Sequence, residues 1–185
     1  NNWLMYHQDF RSYHHSGLTQ INTGNVQDLK ISWMHSPGAG KRGIQSFPIV
    51  ADGVLYYTSS LGQIYALDAA TGAHKWKYTP KIDEERGMGT FYNPYNRGVA
   101  IGHGNVYMGT IDGRLIAVDM NTGKQVWDTM LMTVEKGNKG FTGAPPTLLT
   151  SRSLEARAKS RSVSASMRKR GRRLIRRFIG SLASF

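Results

Sequence analysis

Cysteine is absent from all 185 residues. This absence excludes disulfide bonds and thiolate metal sites within the chain, and it leaves the redox compartment undetermined. Long apolar runs are also missing, so the sequence shows neither a transmembrane span nor a secretory signal. The chain starts at Asn1 and not at Met, which favours a processed or partial amino terminus.

Acidic residues are scarce in one part of the chain only. Residues 151–185 hold 11 of the 24 Lys and Arg residues and a single acid, Glu155, so this segment carries +10 of the net charge of +12. Residues 1–150, with 13 basic and 11 acidic residues, are nearly neutral. Any interpretation as a nucleic-acid or membrane-surface binder therefore depends on the tail alone.

Helical periodicity is also lacking before residue 150, apart from a short turn from Asn25, and the chain instead repeats itself. Asp68–Trp76 and Asp119–Trp127 share the pattern Asp-x-x-Thr-Gly-x-x-x-Trp at an offset of 51 residues. Without gaps, Asp52–Trp76 aligns with His103–Trp127 over 25 positions, eight of them identical. A repeat of this period indicates an array of supersecondary units, each of which needs neighbours to bury its faces.

Each repeat predicts short antiparallel strands joined by tight turns. β-Branched and aromatic runs with alternating polarity predict strands at residues 53–59, 63–68 and 74–78. In the turn between the last two, Asp68 is the predicted cap, Thr71 a local hydrogen-bond partner and Gly72 the residue with positive φ. Trp76 and Trp127 are predicted to be largely buried against neighbouring units. Further strands are expected at residues 2–6, 30–36 (with Trp33), 46–50 and 97–101, and the inner strand of a third unit near Thr142.

This pattern resembles the quinoprotein repeat, the blade motif of eight-bladed propellers that bind pyrroloquinoline quinone (PQQ). The resemblance covers residues 1–149 and implies an all-β fold: a partial eight-bladed β-propeller with two full blades and part of a third. We expect residues 1–149 to form this domain and residues 150–185 to be an anomalous basic tail.

The resemblance becomes more specific toward PQQ-dependent alcohol dehydrogenases at the starts of the inner strands. Asn96-Arg97-Gly98 looks like the family's Asn-Arg-Gly, whose Arg reaches the quinone oxygens. The segment that begins at Thr142 looks like the family's Thr-x-Ala-Pro, whose Thr holds a PQQ carboxylate, and Gln45 stands in the place of a Glu that contacts the cofactor in many members. A forked guanidinium suits quinone and carboxylate oxygens, and a hydroxyl can donate to a carboxylate. The resemblance predicts that these residues face one end of a common axis.

The chain departs from the family pattern where well-known members carry adjacent cysteines over the cofactor. Phe91 and Tyr92 stand in those places, and Tyr92 is a further candidate for stacking on PQQ. These residues belong to an insertion from Lys81 to Asn96, longer than a simple link between blades. No catalytic residue is identified, because the family's catalytic Asp, metal-binding Glu and Asn, and cofactor-packing Trp come later in its chain. The neighbouring His14 and His15 make a poor chelating pair, and a solvated or hydrogen-bonded role is expected for them.

The resemblance implies a periplasmic enzyme that oxidises a primary alcohol to an aldehyde and passes electrons to a cytochrome c-type acceptor. A calcium or lanthanide ion is implied beside PQQ. The alternative from another class is a non-catalytic propeller scaffold of the outer-membrane assembly type, which shares the blade motif. We expect no nucleic-acid partner, while association with a membrane surface stays open.

The tail from about Thr150 lacks the blade pattern. A nucleic-acid or membrane-surface tail is one interpretation. The other is a shifted reading frame. One choice of codons for Ser166 to Ile175, read one base earlier, encodes Asp-Ala-Lys-Thr-Gly-Lys-Lys-Ala-Tyr, which is the blade turn with Tyr in the Trp place. Because a repeat is due at this spacing, the sequence favours the frameshift.

Overall fold

The computed structural model describes residues 2–8, 13–38, 43–83 and 94–131. These form strands and two 3₁₀ turns: the turns Val26–Asp28 and Ser60–Gly62, and the strands β1 (Ile49–Ala51), β2 (Val54–Thr58), β3 (Ile64–Asp68), β4 (His74–Tyr78), β5 (Ala100–Gly102), β6 (Asn105–Gly109), β7 (Arg114–Asp119) and β8 (Gln125–Met130). The predicted short helical turn near Asn25 is confirmed.

The strands form two four-stranded antiparallel meanders, β1-β2-β3-β4 and β5-β6-β7-β8. Their registers match: Ile49 pairs with Tyr56 in the first, and Ala100 pairs with Tyr107 in the second. The register of each outer pair also shifts at the same place, after Ala66 and Ala117 respectively. The 51-residue repeat therefore produces the same sheet twice, as the sequence predicts.

A core lies between the two sheets and takes every second residue of the strands that face it. The central strands β3 and β7 are buried on both faces. One continuous cluster draws residues from both sheets: Ile49, Ala51, Tyr56, Ile64, Ala66, Trp76, Val99, Val106, Met108, Ile116 and Val118. A single sheet would leave its share of this cluster in water. The two meanders therefore stabilise each other as neighbouring blades do.

The conserved turn of each repeat is closed by its Asp carboxylate. Asp68 Oδ1 accepts hydrogen bonds from Thr71 Oγ1 (2.9 Å), Thr71 N (3.0 Å) and Ala70 N (3.1 Å). Gly72 has φ of 73°, as predicted. Asp119 makes the equivalent three bonds to Thr122 and Asn121. These bonds explain why both copies need Asp, Thr and Gly at the same spacing.

Two tryptophans, Trp33 and Trp76, dock on the turn of the following blade. The Trp76 indole N–H donates to Met120 O (3.0 Å), and a Cβ added to Gly123 would lie 2.6 Å from the Trp76 ring. Trp33 has the same relation to Gly72, again at 2.6 Å. Trp76 is 8% exposed, which confirms its predicted burial. Trp127 is of intermediate burial and is more exposed than Trp76.

Several predicted strand boundaries are wrong. The inner strands begin later than predicted, at Ile49 and Ala100, because Ser46 and Phe47 bond elsewhere and Pro48 has no N–H to donate. Residues 30–36 form no strand, since their backbone finds no ladder partner within the described ranges. The predicted opening strand is reduced to one bridge, between Trp3 and Val50.

Within the part of the chain that the structure describes, no helix has the length and apolarity needed to cross a membrane. The predictions for Tyr92, Thr142 and residues 150–185 fall outside the described residues.

Candidate functional site

Gln45 and Arg97 lie just before the innermost strands of the two sheets, β1 and β5. Since β1 and β2 are antiparallel, the start of β1 lies beside the end of β2. The same holds for β5 and β6 in the second sheet. Both residues therefore lie at the same end of their sheets, the end that also carries the β2–β3 and β6–β7 turns.

The two segments that carry these residues are in direct contact. Phe47 N donates to Arg97 O (3.2 Å). Gly98 has φ of 121°, and a Cβ there would lie 2.9 Å from Phe47 O. Only glycine permits both this backbone conformation and this close approach. The glycine of Asn96-Arg97-Gly98 thus brings the start of the second inner strand against the start of the first.

The asparagine of the same tripeptide is a buried anchor, 4% exposed. Its Oδ1 accepts from Gly98 N (2.9 Å), and its Nδ2 donates to Gly109 O at the end of β6 (2.8 Å). Hydrogen bonds of Asn96 and close packing of Gly98 therefore fix the positions of both residues. Arg97 is held between two fixed neighbours, which is the preorganisation that a binding residue requires.

Arg97 is half-buried, and its Cζ lies 5.4 Å from the centroid of the Tyr95 ring. This distance is within the range of a cation–π contact, which orients the guanidinium while it stays charged. Gln45 is exposed and neutral. A forked cation and an amide at one end of two adjacent sheets match the donors that an anionic, oxygen-rich ligand needs.

The structure thus brings the segments of Gln45 and Arg97 together, but the other two candidates lie outside the described residues. Tyr92 and Thr142 are both in this category, so their roles stay predictions. No group of three or more His, Asp or Glu side chains suited to a metal ion occurs among the described residues. His14 instead contacts His7 through their ring nitrogens, in line with the hydrogen-bonded role expected for it.

An ion-pair network at the same end of the second sheet was missed from the sequence. Arg114 pairs with Asp112 (3.0 Å) and with Asp128, and its guanidinium also donates to Lys81 O (2.6 Å). Asp112 Oδ2 accepts in turn from Asp83 N (3.0 Å). The network fixes residues 81–83, where the chain leaves the first sheet, to the β6–β7 turn of the second.

Electrostatics hold this network in its charged state. Burial opposes ionisation of Asp112, but hydrogen bonds from Arg114 and Thr110 outweigh it and lower the pKa of the carboxyl. Burial likewise disfavours charged Arg114, and its bonds to Asp112 and Asp128 raise its pKa above the ordinary value. Both groups stay ionised at neutral pH.

A signal for this network does exist in the repeat alignment. Thr110, Asp112 and Arg114 align with Ser59, Leu61 and Gln63, in a stretch where Gly62 and Gly113 are the shared residue. Both turns keep the same backbone bond, from Ser59 N to Gln63 O and from Thr110 N to Arg114 O (each 2.9 Å). A charged pair therefore occupies only one of the two equivalent turns, which the alignment of the repeats shows.

The fold agrees with a known family. Residues 3–129 match the model described as PQQ, glucose/ethanol/alcohol dehydrogenase, beta-propeller domain. The chain belongs to this family of PQQ dehydrogenases. The resemblance predicted from the blade turns and from Asn96-Arg97-Gly98 is confirmed, as is the β-propeller class of the fold.

Similar proteins are alcohol dehydrogenases by name. A quinohemoprotein alcohol dehydrogenase of Comamonas testosteroni is 40% identical over 143 residues, covering 77% of this chain and 20% of the relative. A 1-butanol dehydrogenase (cytochrome c) of Thauera butanivorans is 36% identical over 143 residues, with the same coverage. A solved europium-containing methanol dehydrogenase superposes with a TM-score of 0.71 at 35% identity, covering 80% of this chain and 26% of that structure. The chain therefore spans about one fifth of the length of the curated relatives it matches.

Proposed function

We propose that the protein oxidises a primary alcohol to an aldehyde with PQQ as cofactor. The observation that carries this proposal is Arg97, held at the start of an inner strand between a buried asparagine and a close-contact glycine, in a chain of the PQQ dehydrogenase family. Membership gives the class of cofactor. The geometry supplies a reason for each residue of the tripeptide.

The described residues fit an anionic quinone. PQQ is a flat tricarboxylate with an ortho-quinone, and it supplies the two-electron acceptor for the alcohol when bound. Arg97 would donate forked hydrogen bonds to its oxygens and favour negative charge there. The side-chain amide of Gln45 would donate a hydrogen bond to the cofactor without the negative charge that a Glu would bring. Thr142 and Tyr92 remain proposed as a carboxylate donor and a stacking ring.

A calcium or lanthanide ion is also part of the proposal, supported by the printed name of the europium-containing relative. The described residues of this chain do not fit such an ion, because they hold no cluster of carboxylates and imidazoles. We therefore assign none of them to the metal, and the role of Arg97 does not depend on it.

The proposed electron acceptor is a cytochrome c-type protein in the periplasm. A relative named as a cytochrome c-linked butanol dehydrogenase supports the acceptor. The periplasmic location follows only from the resemblance of the blade sequence. Association with a membrane surface stays a weaker proposal, because it depends on the basic charge of residues 151–185.

The test uses the protein expressed from its complete gene and titrated with PQQ. We expect saturable binding and alcohol-dependent dye reduction. Arg97→Lys should weaken PQQ binding about tenfold or more, because an ammonium cannot replace the fork. Lys124→Gln, a charge change in a surface turn, serves as the control and should leave binding unchanged. A folded protein that does not bind PQQ would support the scaffold alternative.

A further inference from the structure

A buried polar chain links the two proposed cofactor segments. Ser46 follows Gln45 directly, and its Oγ accepts from Thr58 N (2.8 Å) and bonds to Thr58 Oγ1 (3.0 Å). Thr58 Oγ1 in turn bonds to Asn96 Oδ1 (3.0 Å), next to Arg97. Thr58 is fully buried and Asn96 nearly so. Ser46 is only partly buried, but the link from Thr58 to Asn96, which crosses from the first blade to the second, is shielded from water.

The directions of these bonds are fixed by chemistry. Asn96 Oδ1 accepts from Gly98 N, and Nδ2 donates to Gly109 O, so the amide cannot be flipped. Asn96 Oδ1 and the Asn96 carbonyl oxygen both lie within hydrogen-bond distance of Thr58 Oγ1 (3.0 and 3.2 Å) and can only accept, so Thr58 Oγ1 gives its one proton to Asn96. Ser46 then donates to Thr58 Oγ1 and accepts from Thr58 N. Every hydroxyl and amide of the network has a partner in this arrangement, and a fully satisfied polar network favours one geometry.

Apolar packing alone would fill this space equally well. Valine has the shape of threonine, and a buried pair of hydroxyls gives little net stability over an apolar substitute. A chain of directional bonds does something that packing does not, since it sets the distance between residue 46 and residue 96. Gln45 and Arg97 are the residues directly before and after these two ends.

We propose that Ser46, Thr58 and Asn96 are positioning residues, which set the separation of Gln45 and Arg97 for a flat anionic quinone. This inference rests on the proposed function, since it concerns the same site. It assigns a role to three side chains that need not touch the cofactor. Loss of one link should loosen the site more than it unfolds the sheet.

The test compares Thr58→Val with Thr58→Ser in the protein expressed from its complete gene. Valine keeps the shape and loses the bond, whereas serine keeps the hydroxyl. We expect Thr58→Val to weaken PQQ binding about tenfold and to shift the absorption spectrum of bound PQQ, and Thr58→Ser to recover most of both. Thr122→Val removes a hydroxyl from a distant turn and serves as the matched control, which should lower the Tm without changing PQQ affinity.

The outcomes separate the two proposals. If the unmodified protein folds but does not bind PQQ, the proposed function fails. If it binds PQQ and Thr58→Val binds equally tightly with only a lower Tm, the network is structural and the positioning inference is overturned. Ser46→Ala provides a second variant, with the same expected loss of affinity, where Thr58→Val does not fold.

Discussion

At the scale of single residues, the repeated aspartate shows why the turn pattern is so strict. The carboxylate of Asp68 accepts three hydrogen bonds, two of them from Thr71, and Asp119 repeats the arrangement. These bonds favour the ionised carboxylate. The pKa of Asp68 is lowered, first by the Thr71 side chain, and the pKa of Asp119 is lowered, first by the Thr122 backbone.

These shifts predict acid-sensitive turns. Because the folded pKa lies below the unfolded value of about 4, the carboxylates stabilise the fold above that pH and lose this contribution as the pH falls through the folded pKa. Thr71→Val should raise the pKa of Asp68 and leave the pKa of Asp119 unchanged, so Asp119 serves as a control within the same protein. NMR titration of both carboxyls measures this. An unchanged Asp68 pKa would show that the threonine hydroxyl is not its main partner.

The Arg114 network predicts a larger effect from one side chain. Asp112 is buried, and Arg114→Met removes its counter-ion. The variant should lose about 2 kcal/mol of unfolding free energy, a value between those typical of surface and of buried ion pairs. The double variant Asp112→Asn with Arg114→Met should recover part of this loss. Chemical denaturation of the wild type, the two single variants and the double variant measures the coupling free energy between the two side chains. Additive effects of the two changes would mean that the pair is not coupled.

At the scale of elements, the key contact is a tryptophan of one blade against the glycine of the next turn. The Trp76 ring leaves no room for a Cβ at Gly123, where φ is 68°. Gly104 has φ of 74° but open space around its Cβ position. The two glycines share a backbone conformation, but only Gly123 has a side chain, that of Trp76, packed against its Cβ position.

This pair separates backbone strain from packing. Gly104→Ala should cost about 1 kcal/mol from the left-handed conformation alone. Gly123→Ala should cost about 3 kcal/mol, because the methyl group must also displace the indole of Trp76. Equilibrium denaturation measures both, and the emission of Trp76 should shift to longer wavelength only in Gly123→Ala. Equal costs would argue against docking of the indole on the turn.

The element scale also shows what the sequence could predict. The strands β2, β3 and β4 follow from alternating apolar residues, and the turns follow from Asp, Thr and Gly at fixed spacing. The sequence predicts inner strands that start too early. Ser46 Oγ and Arg97 O accept hydrogen bonds from distant residues, and these bonds decide where the β-ladder begins. The tripeptide at Arg97 was found through the family resemblance. The Asp112–Arg114 network was missed, because its partners at residues 81–83 come from another blade.

At the scale of the molecule, the tryptophan contacts within the described residues form a series of two. Trp33 packs on the turn at Gly72, and Trp76 packs on the turn at Gly123. Trp127 is the next in the series and is only partly buried within the described residues. The regularity of the repeat therefore requires a third Asp-x-x-Thr-Gly turn to cover it.

The frameshift hypothesis supplies such a turn. One choice of codons for Ser166 to Ile175, read one base earlier, encodes Asp-Ala-Lys-Thr-Gly, which has the residues needed to receive Trp127. The Arg-rich tail as written has too few apolar residues at strand spacing to cover the second blade. We expect resequencing across codons 145–175 to restore the frame, continue the blades and remove most of the +10 charge of residues 151–185. In the restored protein, Trp127 emission should move to shorter wavelength as the indole is buried. An intact frame that reproduces the tail, in a soluble protein that binds RNA with steep salt dependence, would contradict the hypothesis, because a ligand-binding tail would then explain the charge.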